Sequence, residues 1–356
     1  MNIKVPTLII DQTTVNGNIE RMARKAEISN AIFRPHFKTH HLAEVGKLFK
    51  HLGISKITVS SVSMAEYFAK HGWNNITIAF PVNLLEIDDI NILASKVQLN
   101  ILVESLHSAL KMSNKCTQTI GVFIKIDAGY NRTGLTPNDT EIGKIIQLLG
   151  SGNQLVFKGF LSHAGNTYSA KSRIEITSIM DENKIILNKL KQEYIKQYPD
   201  IVISYGDTPS CSLSDNFSGF DEIRPGNFAY YDVMQYHIGS CTLDEIAVAI
   251  ACPIVAIHTE RNELVIYGGA VHLSKEFIEA DNAQRLYGYV VNLSDSGWSN
   301  PIPGAFVSSI SQEHGIIKML DKDLKKYKPG DIVGVLPIHS CLAANLLRSN
   351  YKLINN

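Results

Sequence analysis

The sequence lacks the features that mark secreted, membrane or nucleic-acid-binding proteins. Its five cysteines are odd in number and widely spaced, and no CxxC pair occurs, which argues against a disulfide framework. No apolar run approaches the roughly 18 residues of a membrane-spanning helix, and the first residues lack a signal-peptide pattern. Lys+Arg and Asp+Glu both number 34, so there is no net charge for nucleic acid or an anionic membrane, although a local basic patch is compatible with this balance. We expect a soluble, cytoplasmic protein with no nucleic-acid or membrane partner.

The composition does support a well-folded chain. At 356 residues the sequence is long for one ordinary domain and suits two. A hydrophobic content of 45% against 19% charged residues is enough for a sizeable core. No repeat of fixed period and no low-complexity linker interrupts it. We therefore expect two domains that meet at a change of pattern rather than at a flexible hinge.

The first part of the chain alternates between short apolar runs and helical patterns. Candidate strands occupy residues 31–37, 56–61, 75–80, 98–103, 120–127, 154–162, 200–205 and 219–224. Candidate helices occupy residues 11–25, 41–51, 63–71, 84–95, 105–114, 138–149 and 170–196. Eight such units favour an α/β fold of the (β/α)8 TIM-barrel type, although periodicity alone leaves an open doubly wound sheet as the alternative.

The alternation stops near residue 236. Six strand patterns without intervening helices follow, at residues 244–257, 262–268, 286–293, 304–311, 314–319 and 331–338, and a short helix begins at Leu342. This change predicts a mainly antiparallel C-terminal β domain. We expect residues 12–236 to form the barrel, and residues 1–11 with 237–356 to form the β domain.

The stretch Arg34-Pro35-His36-Phe37-Lys38-Thr39-His40 places a lysine where the first barrel strand ends. Barrels of this type keep their chemistry at the carboxyl ends of the strands. Lys38 could therefore form an imine with an aldehyde cofactor such as pyridoxal phosphate (PLP). A solvated turn with a charged rim would have the same composition.

Further candidate residues follow other barrel strands. After the fifth strand, Arg132 lies between two glycines and offers a planar cation, or belongs to an ordinary surface turn. After the sixth, His163 is a candidate general base or cofactor-facing group, or a core histidine. Tyr168 closes the same loop. If the barrel closes, these residues converge on the face that carries Lys38.

The loop after the seventh strand has the composition of a phosphate site. Gly206, Asp207 and Thr208 open a short helical piece, where backbone N–H groups and a hydroxyl can hold a phosphate. An N-cap with no further role is the alternative. Tyr230 follows the eighth strand. A phosphate cradle and an imine lysine on one barrel face together describe a PLP site.

The second domain contains one compact pair of metal-binding residue types. His339 and Cys341 are two positions apart, so in an extended chain they project to the same side. Imidazole with thiolate suits zinc better than magnesium or manganese. Two protein ligands are fewer than the three usual in catalytic zinc sites, so water or substrate would have to complete the coordination.

These motifs resemble those of the eukaryotic-type D-serine dehydratases and D-threonine aldolases, which are PLP enzymes of the alanine racemase fold type. The resemblance runs the length of the chain, in the same order, through Arg34–His40, Asp127–Gly134, Ser162–Tyr168, Gly206–Pro209, Glu222–Gly226, Gln312–Gly315 and Pro337–Cys341. It implies PLP on Lys38 and a homodimer. Aldolase-like members have an Asp in place of Cys341, whereas the His-x-Cys form is similar to zinc-dependent D-serine dehydratases and their 3-hydroxyaspartate-acting relatives.

The resemblance implies roles for the other residues. Arg132 would face the pyridine ring, and Tyr168 would contact the cofactor, with His163 and Tyr230 beside it. The residues facing its phosphate would be Gly206, Asp207 and Thr208, and the zinc ligands would be His339 and Cys341. Relatives often have Ser or Gly at the position of Asp207. A carboxylate beside a phosphate is unfavourable unless it points away or forms hydrogen bonds elsewhere, so the backbone N–H of Asp207 is the group suited to the phosphate.

The activity implied is that of a PLP-dependent lyase that removes water from a D-3-hydroxy amino acid such as D-serine, giving a 2-oxo acid and ammonia. Retro-aldol cleavage of the D-threonine aldolase type is an alternative. An amino-acid racemase is another, but no position clearly supplies the second base it needs. A PLP-carrying homeostasis protein is usually a barrel alone, so the second domain counts against it. The side chain of the substrate cannot be read from the sequence.

Overall fold

The computed structural model describes residues 2–152, 154–280 and 283–355. The chain forms two compact units. The barrel unit comprises residues 21–38 and 46–226, and the β unit comprises residues 1–20, 39–45 and 227–356. The first elements along the chain are strand β1 (Thr7–Asp11) and helix α1 (Gln12–Ile28).

Eight parallel strands form the sheet of the barrel unit. They are β2 (Ile32–Phe33), β3 (Ile57–Val59), β4 (Asn75–Pro81), β5 (Gln98–Val103), β6 (Ile120–Lys125), β7 (Leu155–Leu161), β8 (Val202–Tyr205) and β9 (Glu222–Ile223). Their order is β2-β9-β8-β7-β6-β5-β4-β3, so each strand neighbours the next one along the chain and the last neighbours the first. This sequential order is that of a singly wound barrel, and a doubly wound sheet would reverse direction part-way.

The two strands at the ends of this order are joined by a short contact. Thr58 donates its backbone N–H to the carbonyl of Pro35 at 2.9 Å, and a parallel bridge pairs His36 with Thr58. Leu102, Phe123 and Leu161, on adjacent strands, form a buried cluster inside the unit. The (β/α)8 prediction is therefore confirmed, and the open doubly wound alternative is wrong.

Helices connect the barrel strands. They are α2 (Ala43–His51), α3 (Val62–Lys70), α4 (Ile87–Ala94), α5 (Leu106–Lys115), α6 (Glu141–Ser151), α7 (Arg173–Tyr194) and α8 (Thr208–Leu213). Several begin at a serine whose hydroxyl accepts from a backbone N–H of the first turn, as Ser61, Ser105 and Ser172 do. Their buried residues recur at helical spacing, such as Ile142, Ile145, Ile146 and Leu149 in α6. Sequence periodicity thus predicted these helices.

The β unit contains a second eight-stranded sheet. Its longer strands are β10 (Val248–His258), β11 (Glu263–Tyr267), β14 (Gly288–Val291), β17 (Phe306–Ile310), β18 (His314–Lys318), β19 (Ile332–Pro337) and β20 (Tyr351–Ile354). With β1, they take the order β11-β18-β17-β14-β19-β10-β1-β20. All neighbours are antiparallel except β1 and β20, which run parallel. The predicted antiparallel C-terminal β domain is confirmed.

Shorter elements complete the β unit. The short strands are β12 (Ile278–Glu279), β13 (Arg285–Leu286), β15 (Leu293–Ser294) and β16 (Gly297–Trp298), and the helices are α9 (Val233–Ile238), α10 (Ala270–Leu273), α11 (Asp321–Leu324) and α12 (Ser340–Leu346). Ile9, Ala251 and Ile354 form a buried cluster across the neighbouring strands β1, β10 and β20. Among the helices of the described residues, none is long and apolar enough to cross a membrane.

Candidate active site

Lys38 lies in a tight turn, Phe37–Thr39, shortly after β2. The turn is anchored by Phe37, which is fully buried with its ring centroid 4.9 Å from those of Phe49, Phe68 and Trp73. The neighbouring Lys38 is exposed, and its backbone N–H donates to His36 Nδ1 at 3.3 Å. The aromatic anchor therefore fixes the backbone while leaving the amine of Lys38 accessible at the carboxyl end of the strand.

The loop after β6 is organised by a single carboxylate. Asp127 Oδ1 accepts hydrogen bonds from the backbone N–H groups of Gly129, Tyr130 and Asn131, at 2.9–3.0 Å. Gly129 and Asn131 have positive φ values of 110° and 57°, conformations that glycine and asparagine tolerate best. The ordered turn carries Arg132, whose guanidinium carbon lies 4.9 Å from the centre of the Tyr130 ring.

The loop after β7 brings His163 and Tyr168 towards the same end of the barrel. His163 Nδ1 lies 2.6 Å from the carbonyl oxygen of Gly206, so this nitrogen carries the proton that is donated. The Tyr130 ring packs edge-on to His163 at 6.0 Å and covers Gly165, where a Cβ would collide with the ring. The Tyr168 hydroxyl accepts from the backbone N–H of Thr208 at 3.3 Å.

His163 is held in its neutral form. Burial lowers the pKa of this imidazole well below its ordinary value, and the charges of Lys38, Arg132 and Lys125 act in the same direction. The hydrogen bond with Gly206 opposes the shift without cancelling it. His163 is therefore placed to pack or to donate through a fixed tautomer rather than to carry a charge near neutral pH.

The loop after β8 has the geometry of a phosphate cradle. A Cβ on Gly206 would lie 2.7 Å from the backbone carbon of Arg224, so only glycine fits this close approach. The Thr208 hydroxyl is buried and has no hydrogen-bond partner among the described residues. A buried hydroxyl at the start of α8, beside a glycine, fits a cofactor phosphate, which would supply the missing acceptor.

Asp207 is engaged elsewhere. It caps α8, with Oδ1 accepting from the Ser210 backbone N–H at 2.7 Å and from the Thr167 hydroxyl at 2.9 Å. Burial raises the pKa of this carboxyl, which disfavours the charged form. The capping role accounts for a carboxylic acid at this position, and leaves its backbone N–H and Thr208 as the groups suited to a phosphate.

Two buried cations beneath these loops were missed by sequence reasoning. Arg224 donates from Nε to the Ser204 hydroxyl and from Nη2 to the Ser162 carbonyl, both at 2.6 Å. Lys125 donates to the Ile126 carbonyl at 3.0 Å, and burial, followed by the charge of Arg224, lowers its pKa to about 8. Arg224 lay within a motif already singled out, but nothing local in the sequence indicates that it is buried.

The β unit carries the second group of candidate residues. His339 precedes α12 as its N-cap, and Cys341 lies in the first turn of that helix. Asn227 Nδ2 donates to Cys341 Sγ at 3.4 Å, and Thr39 Oγ1 lies 3.3 Å from the same sulfur. Asn227 is held by Asp232, which also accepts from the backbone N–H of Ser340. Thr39 follows Lys38 directly in the chain.

The imidazole of His339 and the thiol of Cys341 each shift the pKa of the other towards its charged form. Burial alone would raise the pKa of Cys341, but the hydrogen bond and charge of His339, with the Thr39 hydroxyl, bring it below its ordinary value. Burial alone would lower the pKa of His339, yet Cys341, Asp232 and Glu276 raise it to about 9. Together they favour a thiolate, the form that binds metal.

The imidazole and thiolate therefore fit a soft cation, but they supply only two ligands. A thiolate beside an imidazole is typical of zinc ligation. Among the described residues, no group of three or more His, Cys, Asp or Glu side chains is arranged to hold a metal ion. A metal bound by His339 and Cys341 would thus need further ligands from water or substrate.

The structure divides the predicted site residues between the two units. Those in the barrel unit are Lys38, Arg132, His163, Tyr168, Gly206, Asp207 and Thr208, and those in the β unit are Tyr230, His339 and Cys341. Tyr230 is fully buried, and burial together with the charge of Cys341 raises its pKa well above the ordinary value. Its hydroxyl has no hydrogen-bond partner in the described part of the chain. The roles assigned to all these residues remain predictions.

Comparison with known proteins identifies the two halves of the chain. Residues 10–233 match the family described as alanine racemase, N-terminal domain, and residues 247–352 match the putative serine dehydratase domain. A D-serine dehydratase of Dictyostelium discoideum is 31% identical, with 100% of this chain and 94% of that protein aligned.

More distant relatives agree with this match. A D-threo-3-hydroxyaspartate dehydratase of Delftia sp. strain HT23 is 23% identical, over 96% of this chain and 92% of its own length. The solved structure of the Delftia sp. HT23 dehydratase superposes with a TM-score of 0.89 at 24% identity, covering 97% of this chain and 93% of the other. The fold is thus shared along the whole chain. The chain belongs to the D-serine dehydratase family of PLP-dependent lyases, which has the alanine racemase fold.

Proposed function

We propose that the protein catalyses β-elimination of water from a D-3-hydroxy amino acid such as D-serine, with PLP and zinc as cofactors. The observation that carries this proposal is the Cys341 sulfur, held by His339, Asn227 and Thr39 in a setting that favours a thiolate. The full-length similarity to a D-serine dehydratase supports it independently. We also propose that the active enzyme is a homodimer, on the family resemblance alone.

Seven residues of the barrel unit would hold PLP, which supplies an electron sink for charge developing at the substrate Cα. The exposed amine of Lys38 would attach the cofactor. Thr208 Oγ1 and the backbone N–H groups that open α8 would bind its phosphate, because this hydroxyl is buried and no described residue forms a hydrogen bond with it. Arg132, on the loop ordered by Asp127, would face the ring, with His163 and Tyr168 beside it.

Lys38 has a second role in this proposal. Its freed amine would take the Cα proton of the substrate as a general base. His163 would stay neutral, since burial lowers its pKa, and would hold its orientation through Gly206. Neutral His163 would not compete with Lys38 for the proton near neutral pH.

His339 and Cys341 would bind zinc, which as a Lewis acid would make the substrate hydroxyl a better leaving group. Asn227 and Thr39 would keep the sulfur in place and stabilise its negative charge. The reaction breaks the Cα–H and Cβ–O bonds. The enamine that is released then hydrolyses to a 2-oxo acid and ammonia.

The test is product analysis with D-serine, D-threonine and D-threo-3-hydroxyaspartate, each with and without a metal chelator. We expect a 2-oxo acid and ammonia in equal amounts, with formation suppressed by the chelator and restored by added zinc. Glycine with an aldehyde would establish an aldolase instead, and inversion at Cα without another product would establish a racemase. Dehydration unaffected by complete zinc removal would refute the role of His339 and Cys341.

A further inference from the structure

A cavity of about 940 Å³ opens at the amino ends of the barrel strands, within the barrel unit. Its walls include residues just before or at the start of most strands, such as Lys56, Asn75 and Val202. The loops of the candidate active site lie at the carboxyl ends of the same strands. The cavity is therefore separate from the cofactor site, at the other mouth of the barrel.

The wall of this cavity is polar where barrels are usually packed with bulky apolar side chains. On β5, Asn100 donates from Nδ2 to the Thr77 hydroxyl at 3.0 Å. On β6, a Cβ at Gly121 would collide with the Asn100 amide oxygen. A glycine opposite an amide thus leaves space in the lumen and lines it with hydrogen-bonding groups.

The charge of the wall is strongly positive. Four basic side chains line the cavity, Arg34, Lys56, Lys96 and Lys158, against the one carboxylate of Glu222. The Glu222 carboxylate forms an ion pair with Arg34, whose Nε lies 2.5 Å from Oε2. Within the described residues, the ammonium groups of these three lysines form no hydrogen bond or ion pair. The whole chain carries a formal net charge of zero, so this concentration is local.

Stabilisation of the exposed carbonyl groups at helix ends does not explain the positions of all three lysines. Lys96 follows the end of α4 at Ala94, where a cation stabilises the exposed carbonyl groups. Lys158, however, lies inside β7, and Lys56 directly precedes β3. The ammonium groups of Lys56 and Lys158 therefore do not compensate the carbonyl groups of a helix end. A concave wall focuses the electric field that these charges create.

We propose that this cavity binds a small organic molecule with at least two negative charges, carried as carboxylate or phosphate groups. The three lysines would neutralise the charges, and the amide of Asn100 would bind another polar group. Its volume lies within the range of about 300–1,000 Å³ that is usual for small-molecule sites. Binding would weaken as ionic strength rises, because Lys96 and Lys158 are exposed to solvent and Lys56 is partly exposed.

Calorimetric titration of the PLP-loaded protein with inorganic phosphate and, separately, succinate tests the proposal and distinguishes the two anion types. The variant Lys56→Gln/Lys96→Gln/Lys158→Gln removes the three charges. The matched control, Lys70→Gln/Lys111→Gln/Lys189→Gln, removes three exposed lysines of the same unit that do not line the cavity. We expect at least one probe to bind, with Kd raised about tenfold or more in the cavity variant and unchanged in the control.

Three results would overturn the proposal. The first is that neither probe binds. The second is that the cavity variant still binds a probe, which is what an anion bound in the active site would give. The third is that both variants weaken binding equally. If the cavity variant does not fold, acetylation of the unmodified protein gives the answer by mass spectrometry. The bound probe should then slow modification of Lys56, Lys96 and Lys158 at least about threefold relative to Lys70, Lys111 and Lys189. Uniform modification rates would contradict the site.

Discussion

At the scale of single residues, Lys38 carries the first prediction. In Lys38→Ala the amine that we propose attaches PLP and takes the Cα proton is absent, so the visible absorption of the lysine-bound cofactor and the elimination activity should both be lost. The loss of rate should be at least about 10³-fold, as expected for removal of a group that both holds the cofactor and moves a proton. Lys47→Ala, an exposed lysine nine residues away, should retain both properties. An active, cofactor-absorbing Lys38→Ala would exclude this assignment.

A second prediction concerns Cys341. Replacing it with Ala removes one of the two proposed metal ligands, so zinc affinity should fall by more than the roughly 10–100-fold that loss of an outer-shell contact costs. PLP should remain bound, because Lys38, Thr208 and Arg132 are unchanged. Metal content by mass spectrometry and cofactor absorbance separate the two effects. Cys241→Ala is the control, since Cys241 is another cysteine that is not joined in a disulfide. Equal loss of PLP and zinc would indicate a general structural defect.

At the scale of elements, the start of α8 carries the third prediction. The buried Thr208 hydroxyl has no hydrogen-bond partner in residues 2–152, 154–280 and 283–355, and a hydrogen bond to a charged group is worth about 1.5–3 kcal/mol. Thr208→Val should therefore weaken PLP binding by about 10–100-fold, whereas Thr208→Ser should bind nearly as the unmodified protein does. Dialysis followed by cofactor titration measures both. Unaltered PLP affinity in Thr208→Val would place the phosphate elsewhere.

The strands β2, β8 and β9 are joined by a buried polar network that carries the fourth prediction. Glu222 accepts from Arg34 Nε at 2.5 Å and from the Ser204 hydroxyl at 2.6 Å, and Ser204 in turn accepts from Arg224. Glu222→Gln removes the charge that balances two buried guanidinium groups and should cost about 3–5 kcal/mol of unfolding free energy.

Denaturant unfolding measures this cost. Asp215→Asn is the control, because Asp215 pairs with Lys25 but its side chain is 84% exposed. The free energy of unfolding should change by less than about 1 kcal/mol in this variant. Equal midpoints for the two variants would mean that the Glu222 charge contributes no more than a surface pair does.

The same elements explain what the sequence could predict. The eight barrel strands and the helices between them were predictable because each is a short apolar run or a periodic helix bounded by polar residues. Strand β20 was not predicted, because Tyr351–Ile354 is short and pairs with β1 at the opposite end of the chain. Placement of candidate residues at strand ends followed from barrel topology, which brings those ends together.

Other features of the site had no local signal. Thr39 and Asn227 contact the Cys341 sulfur from 302 and 114 residues away in the chain. Arg224 is buried because Ser162 and Ser204 satisfy it, and those partners belong to other strands or loops. Long-range contacts of this kind come from packing, which hydrophobic periodicity does not encode.

At the scale of the whole molecule, the feature of interest is how the free energy of unfolding changes as the pH falls. With 34 basic and 34 acidic residues, the chain is nearly neutral at pH 7 and gains positive charge as carboxylates are protonated. His40, in the β unit, is fully buried, and burial, with the charge of His41, lowers its pKa from 6.5 to about 3. The hydrogen bond with Leu42 opposes this shift. His40 therefore stays neutral in the folded protein at pH values where an unfolded chain would protonate it.

The fifth prediction follows from that difference. Because the unfolded state binds the extra proton, stability due to His40 is full above about pH 6.5 and is lost as pH falls from there towards 3, at up to about 1.4 kcal/mol per pH unit. His163 acts in the same direction, whereas the raised pKa of Asp207 acts in the opposite one. Urea unfolding between pH 7.5 and 4.5 should therefore give a shallower pH slope in His40→Gln than in the unmodified protein. His51→Gln, at an exposed position, should leave the slope unchanged. If His40→Gln keeps the original slope, the imidazole is protonated in the folded state and its burial does not limit acid stability.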